Sequence, residues 1–396
     1  MYPFRDIFMA LLRMELSGIL PPEDMKDQIT PELVPVLYRG GRKHDMGHMI
    51  APSLQKLGLL TEEDPLFLAF RKQCFVATAR CRQTQFEFDR ICAVLEEGGV
   101  DHLPLKGSVI RPYYPDPAMR TSCDIDILIH PEDLESAVTL LGEKLEYELK
   151  EKLPHDYSLM SPAKVHLELH FTLLSDEDSE LVGAFQADCE RVLEKIWSVA
   201  VPSKGFSHRW EMPMEYYYAY LLAHAAKHVL VGGCGIRPFM DIWVIRHCMG
   251  YDTSLAAPLV EKCGLSAFAE NAEALSEQWF SGVRAERETV DELALYILQS
   301  GAYGSIQNKV AGEQVVKGNR FVYILSRLFR PYSQMKYLYP VLHKWKILLP
   351  FFEIYRWFDI AFGSRRDRIK KELDANSQVK KEDVKRVRKL FGDLKI

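Results

Sequence analysis

Asp124-Ile125-Asp126 sets two carboxylates two positions apart in a segment, Cys123–His130, that alternates acidic and apolar side chains. Successive side chains of a β-strand point to opposite faces, so the two aspartates project together while Ile125 and Ile127 turn to the core. Carboxylates this close repel, and one pKa rises unless a cation neutralises them; divalent metal is the usual remedy. Taken alone, the pair fits a solvated strand edge at least as well. Two further elements shift the balance. Upstream, Leu105-Lys106-Gly107-Ser108 ends a short apolar run and opens a helix-like stretch, where backbone N–H groups and a hydroxyl can receive phosphate oxygens. Downstream, Lys164–Phe171 alternates again and brings Glu168 to one strand face between His166 and His170. Three acidic groups from neighbouring strands beside a phosphate-binding turn are what two-metal phosphoryl transfer requires.

The run LKGSVIRPYYPDPAMRTSCDIDILI, residues 105–129, resembles the core motif of the DNA polymerase beta-like nucleotidyltransferase superfamily. More narrowly, it is similar to the bacterial "uncharacterised nucleotidyltransferase" family. Leu105-Lys106-Gly107, the loop Tyr114–Arg120 and Asp124-Ile125-Asp126 carry the likeness, with Glu168 where such proteins have Asp or Glu. Weaker likenesses are His224–Ile245 and the aromatic stretch YPVLHKWKILLPFFEIYRWF. The Pro-rich loop makes the gap from Gly-Ser to Asp-x-Asp longer than in minimal nucleotidyltransferases.

The resemblance implies a metal-dependent enzyme that moves a nucleoside monophosphate from a triphosphate, ATP by expectation, to a hydroxyl-type acceptor and releases pyrophosphate. Asp124, Asp126 and Glu168 would be catalytic and hold Mg2+ or Mn2+. Lys106, Gly107, Ser108 and Arg120 would bind the nucleotide, Arg120 either gripping phosphate bidentately or pairing with Asp116 or Asp124. Either aspartate changed to Asn should abolish transfer with the melting temperature unchanged or raised.

Competing constellations are weaker. His166, Glu168 and His170 on one strand make a candidate zinc set for a hydrolase, although ligands at i, i+2 and i+4 converge poorly. His224 and His228 share one helical face; with Lys227, Arg237 and Asp241 they read as lining or supporting an acceptor or phosphate cleft. His44 and His48 read as structural, and the Tyr216–Tyr220 run as packing. A degenerate relative that binds nucleotide as a regulatory or scaffold module is a further alternative.

Around these residues the chain reads as α+β: a small mixed-sheet nucleotidyltransferase core, 99–175, between an N-terminal helical region, 1–98, and a C-terminal helical domain, 176–363. A long helix from Asp64-Pro65 to Gly98-Gly99 should pack on the helix containing Ile7 and Leu11. Leu338–Phe362 reads as a packed helical cap, with a membrane-surface segment as the alternative. The 364–396 tail reads as a solvated, partly disordered basic helix. From Arg365 to Lys395 twelve Lys/Arg stand against six Asp/Glu, within a chain of net charge −5. An acidic body argues against nucleic acid as partner and leaves a nucleoside triphosphate and an unknown acceptor. Eight scattered cysteines, no uninterrupted apolar leader and no run of 18 apolar residues point to a cytoplasmic protein without a membrane span, capable at most of weak surface association.

Overall fold

Short strands and many helices follow from these patterns. A computed structural model describes residues 3–174, 187–318, 320–363 and 366–396. His102–Pro104 forms β1, Asp124–Ile129 β2, Glu148–Lys152 β3, Asp156–Met160 β4 and His166–His170 β5. They build a five-stranded mixed sheet in the order β1-β2-β5-β4-β3. The β2–β5 pair is parallel, and its register sets Asp124 against His166, Asp126 against Glu168 and Leu128 against His170. The remaining pairs are antiparallel. Every residue of β3, with its charged side chains, is exposed, which blunts that sheet edge against further pairing.

The two sheet faces meet different cores. Ile125, Ile127 and Ile129 of β2 and Leu167 and Leu169 of β5 pack with Phe88, Ile91 and Leu95 of the Phe67–Glu97 helix and with the Leu134–Leu145 helix. Leu103, Leu105 and Leu128 join a second, larger core of helices from both ends of the chain. The Asp124 and Asp126 face of β2 is thus turned toward those helices.

Several expectations need correction. The Phe67–Glu97 helix packs chiefly on Gly47–Lys56 and Leu134–Leu145; Phe4–Ser17, expected as its partner, lies on Gly47–Lys56 and Ser266–Phe280. N-terminal apolar residues such as Leu11 and Leu54 accordingly share one core with Leu222 and Leu275. The basic C-terminal segment is not a solvated tail. Its Lys381–Leu394 helix buries Val387, Leu390, Phe391 and Leu394 against the Ile306–Lys317 and Glu288–Ser300 helices, because apolar residues at i, i+3, i+4 and i+7 form a stripe among the lysines. Leu338–Phe362, expected to be a packed cap, leaves many aromatic and aliphatic side chains exposed.

Candidate active site

The turn at Lys106 is the least ordinary backbone near the sheet. Lys106 adopts φ 44° and ψ −120°, a left-handed conformation unusual for a residue with a Cβ. The turn is pinned on both sides: the Leu105 amide donates to the Asp126 carbonyl at 3.0 Å, and Tyr217 Oη donates to the Lys106 carbonyl at 2.8 Å. This posture sends the lysine side chain back over β2, where Nζ donates to Asp126 Oδ1 at 2.7 Å. Gly107 follows, opening a one-turn helix, Gly107–Ile110. A Cβ there would lie 3.3 Å from Arg111 Nη2 and 3.5 Å from Arg120 Nη1, so glycine leaves room beside two guanidinium groups.

Asp126 is buried and doubly partnered, since His170 Nε2 lies 3.0 Å from the same Oδ1. Burial alone would raise its pKa; the charge of Lys106 and the contact with His170 override that and hold it well below the usual carboxylate range. Asp124 behaves oppositely: desolvation and the neighbouring Asp126 charge push it up. Burial works against protonation of His170, but its bonds to Asp126 and Glu168 win and raise its pKa. Lys106 is raised likewise, the Asp126 charge outweighing burial. The pair of carboxylates is therefore electrostatically unequal.

Among the described residues, Asp126, Glu168 and His170 bring ligand atoms within 4.8 Å of one another. Two carboxylate oxygens and an imidazole nitrogen suit a divalent cation, and the lysine charge drawn to Asp126 marks where positive charge is wanted. The donor set fits a metal. Of the three acidic residues expected to hold it, Asp126 and Glu168 belong to this group and Asp124 lies beside it, on the wall of the same cavity. His170 was expected only within a zinc triad. That triad is corrected: His166 is outside the donor group, and its Nε2 lies 2.6 Å from Ser158 Oγ. Residues four apart on a strand sit roughly 13 Å apart along its axis, too far to converge with the residue between them.

These residues wall a cavity of about 410 Å³ between the sheet and the Met214–Leu230 and Arg237–His247 helices. Lys106, Gly107, Arg120, His224, Lys227, His228, Arg237 and Asp241, all expected at the site, line it. Ser108 is not in that lining; its amide donates to the Leu105 carbonyl, and Ser122 lines the cavity instead. Arg120 pairs with neither Asp116 nor Asp124. Its Nε and Nη2 reach Asp241 Oδ1 and Oδ2 at 2.9 and 3.0 Å, and Tyr114 Oη donates to the same Oδ1 at 2.6 Å. Burial opposes the Arg120 charge, but Asp241 more than compensates. Arg237 Nη1 donates to the Thr121 carbonyl at 2.8 Å, so both ends of the Pro-rich loop are tied to the second helix. On the first helix, His224 and His228 lie 3.2 Å apart. Desolvation and the Lys106 charge lower both, His228 to about 4, which keeps the rings neutral near pH 7.

Residues 33–281 match the model of a family described as uncharacterised nucleotidyltransferase. The chain belongs to that family. The match takes in the sheet, the Lys106 turn, the Asp-x-Asp strand and the two helices that close the cavity, so it is an enzyme of the nucleotidyltransferase class. No curated protein and no solved structure matches the chain.

Two parts of the site escaped sequence reading. Tyr114 lies inside the Tyr114–Arg120 loop, where the sequence alone assigns it no role, and His155, which lines the cavity and lies 2.7 Å from Asp156, stands outside every motif. The Asp126–His170 contact spans 44 positions, and only the β2–β5 register reveals it.

Proposed function

We propose that this nucleotidyltransferase moves a nucleoside monophosphate, from ATP by expectation, to a hydroxyl-type acceptor and releases pyrophosphate. The observation that carries this reading is the facing of Asp126 and Glu168 across two parallel strands, with His170 beside them, in a cavity whose opposite wall is cationic. Asp124, Asp126, Glu168 and His170 would hold Mg2+ or Mn2+, which when bound lowers the pKa of an acceptor hydroxyl and neutralises charge on the polyphosphate. Lys106 moves its charge from Asp126 to a phosphate oxygen when nucleotide arrives. Gly107 leaves space for that phosphate. Arg120, already gripped by Asp241, acts through the shape of the loop that it holds. Lys227, His224, His228 and Arg237 face the acceptor or the distal phosphates. We read residues 99–175 as the catalytic core and the flanking helices as the acceptor wall, in a cytoplasmic protein.

The test is incubation with each of the four labelled nucleoside triphosphates, cell extract and Mg2+, with identification of the labelled product. Labelled product and pyrophosphate from wild type, and neither from Asp126→Asn, is the expected result. The Lys106–Asp126 bridge favours one other reading, a member that holds nucleotide without chemistry. Tight ATP binding with no pyrophosphate released under any acceptor condition selects it.

A further inference from the structure

The Leu349–Phe362 helix carries an apolar stripe that nothing among the described residues covers. Phe351, Ile354, Phe358 and Phe362 recur at helical spacing and are all exposed, Phe362 by 82 %. Just before the helix, Trp345 and Ile347 are exposed as well, Ile347 by 83 %. The helix is not free to roll this stripe inward, because its other face is fastened. Arg356 is buried and donates to the Leu328 carbonyl and to Glu353, Glu353 accepts the Arg330 amide at 3.0 Å, and the Trp357 indole donates to the Leu328 carbonyl at 2.6 Å. Soluble monomers rarely expose a contiguous apolar surface of this kind unless it binds something.

Charge decides among occupants. Residues 341–371 carry eight Lys/Arg against three Asp/Glu. Lys344 and Lys346 are exposed at one end of the stripe, Arg366 and Lys370 at the other. Two such faces brought together in a dimer would repel. An anionic lipid surface meets both demands, taking the aromatic stripe at the headgroup boundary and the flanking cations at its phosphates. No helix among the described residues is long and apolar enough to cross a membrane. We infer that the 345–362 segment is a membrane-surface binding element, which lays the Leu349–Phe362 helix on an anionic bilayer and leaves the catalytic cavity in water.

Full-length protein is mixed with phosphatidylcholine vesicles, with or without phosphatidylglycerol, and binding is read by sedimentation. Binding to the phosphatidylglycerol vesicles that weakens with salt is expected. Phe351→Ser with Phe358→Ser should weaken it by roughly ten-fold or more per aromatic removed. Lys344→Gln with Lys346→Gln should weaken it by about five-fold per lysine, on anionic vesicles alone. Both pairs change exposed side chains, so the melting temperature and turnover of soluble substrates stay at wild-type values, which separates this proposal from the transferase reading. Wild type left in the supernatant with both vesicles overturns it, as does equal binding by wild type and the aromatic variant. A concentration-dependent dimer that the aromatic variant abolishes, without vesicle binding, assigns the stripe to a second copy of the chain and overturns it equally.

Discussion

Lys106 Nζ and Asp126 Oδ1 are 2.7 Å apart, and the lysine reaches that oxygen from a backbone with φ 44°. A left-handed non-glycine residue costs on the order of 1 kcal/mol or more, and it persists when its surroundings enforce it. Here Tyr217 and the Leu105–Asp126 backbone bond do so. The ammonium therefore competes with any cation for Asp126. Replacing Lys106 with Ala should leave a buried carboxylate poorly compensated and lower stability by roughly 3 kcal/mol without added metal. Mg2+ or Mn2+ should then restore much of that loss, more than it stabilises wild type, while nucleotide transfer stays low. Thermal melts of both proteins with and without Mn2+ check this; a Lys106→Ala protein whose melting ignores the ion counts against a metal at Asp126.

The two aspartates should respond differently to the same change. Asp124 is raised by desolvation and by its neighbour's charge, so Asp124→Asn relieves repulsion and leaves the melting temperature unchanged or higher. Asp126 is the partner of both Lys106 and His170, so Asp126→Asn strips the Lys106 ammonium of its counter-charge and His170 of one of its two acidic partners, and should cost about 3 kcal/mol. Both variants should lose transfer. Sequence reading expects equal, benign stability effects from the two changes, and the pairing with Lys106 is why that expectation fails for Asp126. Chemical denaturation of the two variants side by side settles the order; Asp126→Asn as stable as wild type would contradict the pairing described here.

What could be read in advance is what depends on local periodicity. Alternation along Asp124–Ile129 and His166–His170 fixes which side chains share a face, and the breakers Pro65 and Gly98 bracket the long helix. The strands and the shared face of their acidic side chains were legible for that reason, and the nucleotidyltransferase core through the resemblance of residues 105–129. What could not be read depends on register and on packing between distant segments. His170 becomes a neighbour of Asp126 only because β5 pairs with β2 in one register. Arg120 finds Asp241 across 121 positions, while Asp116 and Asp124, nearer in sequence, find other surroundings. The C-terminal helix looks solvated by charge count alone, yet four apolar residues at helical spacing are enough to seat it.

The Arg120–Asp241–Tyr114 cluster should behave as one unit. Asp241 accepts from both side chains, and all three groups are buried or nearly so. Asp241→Asn and Arg120→Met should each destabilise by about 3 kcal/mol, because each strands a buried charge or donor. The double variant should lose little more than either single one, giving a coupling energy of roughly 3 kcal/mol. Arg120→Lys should not rescue, since an ammonium cannot reproduce the two-point grip. Urea titrations of the four proteins measure the cycle, and additive losses would mean that the cluster does not act together. Nucleotide KM should rise in both single variants as the Pro-rich loop loosens.

The final prediction concerns acid stability. His44 is 5 % exposed, packed against the Phe8 ring with centroids 5.6 Å apart. Burial, aided by the neighbouring Lys43 charge, lowers its pKa from 6.5 to about 4. A histidine depressed in the folded state takes up a proton more readily once unfolded. Its neutral form therefore favours folding fully above pH 6.5, and that contribution is lost as pH falls toward about 4. The shift corresponds to at most about 3 kcal/mol across that window. His44→Phe keeps an aromatic ring against Phe8 and cannot titrate. Stability of wild type should therefore fall more steeply than that of His44→Phe between pH 6.5 and 4, while the carboxylates titrate alike in both. Parallel pH profiles from urea unfolding would show that His44 reaches solvent and carries no such cost.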